Sequence, residues 1–151
     1  LPEGKRCNTL TVTEPFVQPR ESLVIDIAKL KTHGMMGYSG AVKNLFGVVP
    51  GLLKPELHSR YPEKEPFAEM LVDLCEYVHP DFSIIDAIDA MEGDGPTGGQ
   101  KRFVGALVGS ESPYEADMVG AKLIDMKPEE ILVLKNAQER GLCAFGDRSA
   151  W

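Results

Sequence analysis

Short apolar runs alternate along the chain with longer apolar stripes of helical period. Leu23-Val-Ile-Asp-Ile-Ala28 is a β-branched run of the kind found in strands covered on both faces. Phe82-Ser-Ile-Ile-Asp-Ala-Ile88 and Phe103-Val-Gly-Ala-Leu-Val108 share that character and predict a second and a third buried strand. Between the first two, Phe67, Met70, Leu71, Leu74, Cys75 and Val78 recur on one face of a helix. They predict a helix over 66–78, opened by Pro66 and stopped by Pro80. Ser112 and Pro113 begin another helix, reaching about Ile124. Pro128, Glu129 and Glu130 begin a last one, ended by Gly141. Strands alternating with helices predict an α/β fold: a layered sheet of mostly parallel strands with helices packed on its faces.

The remaining segments are punctuated rather than periodic. Residues 1–22, broken by Pro15 and Pro19, read as an irregular lead-in with one candidate strand at Thr9–Thr13. Residues 23–151 read as a single α/β domain, and a first residue other than methionine fits a piece of a longer protein. Gly34, Gly37, Gly40, Gly47 and Gly51 crowd one loop, where the backbone can turn tightly or approach a ligand closely. A short helix is expected inside it, around Gly40–Phe46. Glu92-Gly-Asp-Gly-Pro-Thr-Gly-Gly99 cannot be regular structure.

Composition removes several classes of function. The 151 residues suit one domain, and 43% hydrophobic with 26% charged residues is ordinary for a globular chain. No run approaches the roughly 20 apolar residues of a membrane span. Cys7, Cys75 and Cys143 lie far apart with no CxxC pair. They form no disulfide framework, and this chain alone cannot supply the four thiolates of an iron–sulfur cluster. The net charge is −7, but unevenly spread: residues 1–60 hold 8 Lys/Arg against 5 Asp/Glu, the rest 8 against 18. So acidic a chain repels a nucleic-acid backbone, while its basic opening can attract a small anion. A cytoplasmic protein binding a small anionic ligand is expected, with homo-oligomer formation left open.

Candidate chemistry gathers around the glycine loop. Lys29, Lys31 and His33 follow the first strand at period two and share a face if the chain stays extended. Strand carboxyl ends are where open α/β sheets bind ligands; the plainer alternative is a solvated loop. His33 and His58 flank the loop and Lys43 lies within it. Histidine titrates near neutrality and moves protons or binds metals. Lysine in a dry place loses its proton and becomes a nucleophile or covalent tether. Asp86, Asp89, Glu92 and Asp94 lie along and beyond the second strand, where they can bind a cation, share a proton or neutralise the lysines. Asp86 and Asp89 have opposite parity in a strand. Gly93 and Gly95 can contribute to an anion nest of N–H groups. His79, before Pro80, reads as a cationic helix cap, and Asp117 as a dipole partner of its own helix. No GxGxxG falls between a strand and a helix, and GxxxxGK[ST] is absent.

Three motifs in order carry a resemblance: Asp26-x-x-Lys29-Leu-Lys31-Thr-His33-Gly34, Lys43-Asn44-Leu-Phe-Gly47, and Asp86-Ala-Ile-x-Ala-Met-Glu-Gly-Asp-Gly-Pro96. Over roughly residues 20–145 the chain resembles the domain of unknown function 362 family. Many members of that family are longer and carry a ferredoxin-like segment with two four-cysteine motifs, absent here. His33-Gly-Met-Met-Gly-Tyr-Ser-Gly-Ala-Val-Lys43, with Pro50-Gly51 and His58, is also similar to a stretch of the nickel-dependent lactate racemase family. That likeness implies a proton-transfer role for His33, a cofactor-tethering role for Lys43 and a metal-ligand role for His58. Together these readings assign catalysis to His33 and Lys43. They assign substrate or cofactor binding to Lys29, Lys31, Asn44, Asp86, Glu92, Gly93 and Gly95, and a nickel-type or other metal to His58. The activity implied is racemase-like, isomerase-like or redox-linked. The alternative is a non-catalytic module of an iron–sulfur redox protein, whose ferredoxin-like domain or redox partner lies outside this chain.

Overall fold

The computed structural model describes residues 1, 3–17, 22–95 and 97–146. Its centre is a four-stranded sheet in the order β2-β1-β3-β4, formed by β1 (Ile25–His33), β2 (Gly37–Ser39), β3 (Phe82–Glu92) and β4 (Gln100–Ser110). The helices are α1 (Ala41–Asn44), α2 (Lys54–Arg60), α3 (Lys64–Val78), α4 (Pro113–Leu123) and α5 (Leu132–Glu139). The α/β class is as expected, but the strand directions are not. Only β1 and β3 are parallel; β2 and β4 run antiparallel to their neighbours. Connection length explains this. A parallel return needs a crossover of a dozen or more residues, which the segment containing α3 supplies between β1 and β3. Residues 34–36 and 93–99 are too short for one, so β1–β2 and β3–β4 close as hairpins.

The helices also cover one face of the sheet, not both. Asp26, Ala28, Leu30, Ser83, Ile85, Ala87 and Val108 are buried, with α1 and α4 packed against their strands. On the other face Ile25, Ile27, Phe103 and Leu107 are exposed. The apolar runs imitate two-sided burial because their open-face positions are apolar as well. Aromatic rings smooth that face. A Cβ at Gly105 would come 3.0 Å from the Phe103 ring, and one at Gly109 would come 3.1 Å from Phe82.

Helix α3 forms the heart of the helical layer, with Phe67, Met70, Leu71 and Leu74 wholly inaccessible. It starts at Lys64 and ends at left-handed His79 (φ 45°), whose N–H donates to the Cys75 carbonyl at 2.8 Å. Helix α4 opens as expected, the Ser112 hydroxyl accepting from Glu115 N. The lead-in has no strand at residues 9–13. It is instead pinned to α3 by Asp73, which accepts from the N–H groups of Lys5, Arg6 and Cys7 and pairs with Arg140 beyond α5.

Candidate functional site

The end of β1 delivers Lys31 and His33 into the turn before β2. Both Met35 N and Met36 N donate to His33 Nδ1, each at 3.2 Å. An acceptor at Nδ1 places the neutral ring's proton on Nε2, so His33 is fixed as a hydrogen-bond donor.

Lys43 rides on α1, a single turn that cannot persist alone. Asp117, reaching over from α4, holds its start. Oδ1 accepts from Ala41 N at 2.6 Å and from the Tyr38 hydroxyl at 3.2 Å, and Oδ2 accepts from Val42 N at 3.1 Å. Asp117 therefore serves the dipole of α1 and not that of its own helix. Only glycine at position 40 permits the approach, since a Cβ there would lie 2.2 Å from Asp117 Oδ1. At the other end of α1, Asn44 Nδ2 donates to Asp26 Oδ1 at 2.7 Å and to the Ile27 carbonyl at 3.1 Å. Asn44 thus ties α1 to β1.

Phe46, just beyond α1, is the hub of the cluster. Lys43 Nζ lies 5.9 Å from its ring centroid and Lys54 Nζ 5.6 Å, both within cation–π range. The His58 ring meets Phe46 edge-on at 5.9 Å and stacks on Phe67 at 4.6 Å. Phe46 and Phe67 are buried and themselves in edge contact. Lys31, His33, Lys43, Lys54 and His58 thus share one neighbourhood. Burial, then Lys43, His58 and Lys31, lower the His33 pKa to about 4, so the ring is neutral at pH 7. Burial, then Lys31 and Lys54, lower that of Lys43 to about 8. Burial and Lys43 also lower His58. The neighbours that lower these three groups are, among the described residues, themselves basic side chains. Among the described residues none of Lys31, Lys43 and Lys54 has a carboxylate within ion-pair distance.

The other expected site residues lie elsewhere. Register shifts between Lys29 and Lys31, and the Lys29 ammonium pairs with Asp86 at 2.6 Å. Asp89 pairs with Lys101, and Glu92 with Arg102. The acids therefore do not complete the basic cluster. The Gly93 carbonyl accepts from the Thr32 hydroxyl and from Gly95 N, and the Gly95 carbonyl accepts from Gly34 N. The Gly95 N–H is donated inside the turn, and the segment braces the His33 turn. Lys54 and Asp117 enter the site unannounced by any motif, and Phe46, although inside the Lys43–Gly47 motif, takes no role from it.

The residues present do not fit a nickel centre. Among the described residues no three His, Cys, Asp or Glu side chains come together as a metal site. His58 is stacked on Phe67, His33 Nδ1 faces backbone N–H groups, and the remaining neighbours are ammonium groups that would repel a cation. A cavity of about 500 Å³ opens between Lys5, Asp73, Tyr77 and Arg140, and none of its lining residues belongs to the cluster.

Fold and site together define an α/β domain carrying a cluster of lysines and histidines in which, among the described residues, no lysine has a carboxylate within ion-pair distance. The profile of the family described as "Domain of unknown function (DUF362)" matches residues 1–122, and the chain belongs to that family. It is similar to the thylakoid-associated protein sll1697 of Synechocystis sp. (strain ATCC 27184 / PCC 6803 / Kazusa), with 40% identity over 119 residues. That match covers 78% of this chain and 37% of the relative, so the chain spans little more than a third of the relative's length. No solved structure matches the chain. Among the described residues no helix is long and apolar enough to cross a membrane.

Proposed function

We propose that this domain binds a small anionic substrate or cofactor at the Phe46 cluster. Lys31, Lys43 and Lys54 hold its negative group, and the neutral His33 ring donates from Nε2. The observation that supports this most is the company these groups keep: in a chain of net charge −7, five basic side chains meet and, among the described residues, none of the three lysines is paired with a carboxylate. Like charges crowded together raise one another's energy, and an anion placed between them relieves that cost. Accepting a proton would require His33 to release both backbone N–H groups, so binding through Nε2–H replaces the proton-transfer role. The free thiols of Cys7, Cys75 and Cys143 suit a reducing compartment, and on that ground we assign the chain to the cytoplasm.

Calorimetric titration with inorganic phosphate at low ionic strength tests this reading. Binding is expected to weaken about tenfold or more in Lys31→Gln/Lys43→Gln/Lys54→Gln and to fall steeply with added salt. Lys29→Gln, which removes a lysine already paired with Asp86, is expected to bind like the wild type. As Lys43 loses its proton through about pH 8, affinity for sulfate, whose charge is constant over this range, is expected to drop between pH 7 and pH 9. Equal phosphate affinity in the triple variant and the wild type contradicts the proposal.

A further inference from the structure

Resting on that reading and deepening it, we propose that Lys43 is a reactive amine that condenses with the carbonyl group of a small 2-oxo acid. In this arrangement Lys31 and Lys54 hold the acid's carboxylate. Three observations carry the inference. The Lys43 ammonium has no carboxylate partner among the described residues, whereas Lys29, Lys101 and Lys127 each have one. Its backbone is held in place, because α1 is tied at one end by Asp117 and at the other by Asn44. Its tip lies beside a buried aromatic ring with other amines close by. Desolvation and a neighbouring cation are the two means by which a lysine is made nucleophilic at ordinary pH, and both act here.

The step balances without any further reagent. The free amine of Lys43 attacks the carbonyl carbon, a C–N bond forms, and the carbonyl oxygen takes up a proton to give a carbinolamine. With a second proton from solvent that hydroxyl leaves as water, and the nitrogen lone pair closes the C=N bond to give a protonated imine, which returns the proton to solvent when it ionises. His33 Nε2–H is the neutral donor available to hold the carbonyl oxygen as charge develops on it.

Selectivity follows from arithmetic. At pH 8 about half of Lys43 is unprotonated, against under about 1% of an ordinary lysine with a pKa near 10.4. Lower basicity takes back part of this gain, leaving about tenfold faster reaction. The test is incubation of the protein with pyruvate and sodium cyanoborohydride, which reduces the imine to a stable secondary amine, followed by mass mapping of all ten lysines. Lys43 is expected to be labelled about tenfold faster than any other, with a rate rising through pH 8. Labelling should be slowed several-fold by Lys31→Gln/Lys54→Gln, suppressed by phosphate, and much slower with acetone, which lacks the carboxylate. Because the readout is competition among lysines of the unaltered chain, it does not depend on any variant folding. Labelling spread over exposed lysines such as Lys64 and Lys135, with Lys43 no faster, overturns the inference. If phosphate still binds in that case, only the imine fails; if phosphate does not bind either, the anion-binding reading falls with it.

Discussion

Replacing Asp117 with alanine is expected to destabilise the domain by about 3 kcal/mol or more and to abolish phosphate binding. The carboxylate is completely buried and accepts three hydrogen bonds, two of them from the first N–H groups of α1. Its removal leaves Ala41 N and Val42 N without partners in a dry interior, and each such group costs about 1–3 kcal/mol. A one-turn helix cannot absorb that loss, so α1 shifts and carries Lys43 with it. Burial raises the Asp117 pKa to about 7, against the opposing N–H groups of Val42 and Ala41 and the Tyr38 hydroxyl, and the charge of Asp26 adds to the rise. The sign follows. A carboxyl whose folded pKa exceeds its unfolded value stabilises the fold when protonated, and this is lost as pH climbs from about 4 to 7. On that basis ionisation of Asp117 costs on the order of 4 kcal/mol across the window. Urea unfolding of wild type and Asp117→Asn at pH 4.5 and 7.5 measures it, because the asparagine variant lacks this titration. An unchanged stability difference at the two pH values contradicts the assignment.

Asp73→Ala is expected to cost about 3–5 kcal/mol, the range for breaking a buried ion pair from one side. Asp73 and Arg140 are 1% and 9% exposed in their side chains, and the three backbone N–H groups of Lys5, Arg6 and Cys7 meet the same carboxylate. Burial alone would raise its pKa, but the N–H groups of Cys7 and Lys5, then Arg140 and Arg6, outweigh it and hold the carboxyl below its usual range. Its stabilisation is therefore present above the unfolded pKa of about 4 and disappears as pH falls below it. The variant should unfold at lower urea concentration and become cleavable by protease within residues 3–17, while phosphate binding by the remaining folded molecules stays intact. Both variants thus lose stability, and only Asp117→Ala loses the site as well. Protease resistance of the lead-in in Asp73→Ala would count against its role as the anchor.

How much of this was legible beforehand depended on whether the cue was local. The three apolar runs announced β1, β3 and β4, and the Phe67-to-Val78 stripe announced α3, because burial leaves its period in the sequence. Strand direction leaves no such mark; it followed from connection lengths, visible only once the polar ends Lys29–His33 and Asp89–Glu92 proved to belong to strands. Ile25, Ile27 and Leu107 made an open sheet face look buried. In the site, Lys31, His33, Lys43 and His58 stood out because they flank or occupy a glycine loop. Lys54 before Pro55 resembles any surface lysine, and only its place beside Phe46 gives it meaning. Asp117 sat early in a helix and so seemed to serve that helix; its real partner is 76 residues away. Asp86 and Glu92 were drawn toward the lysines by sequence proximity, but Lys29 and Arg102 hold them across the sheet instead.

Lys43 is partly desolvated with two further amines nearby, and its titration reads that directly. In protein carrying lysine labelled at the terminal carbon, nuclear magnetic resonance is expected to show Lys43 titrating near pH 8. In Lys31→Gln/Lys54→Gln its midpoint should move upward while stopping short of the ordinary value of about 10.4, since burial contributes more than either neighbour and remains. A wild-type midpoint at the ordinary lysine value, unmoved by that double substitution, would contradict the account.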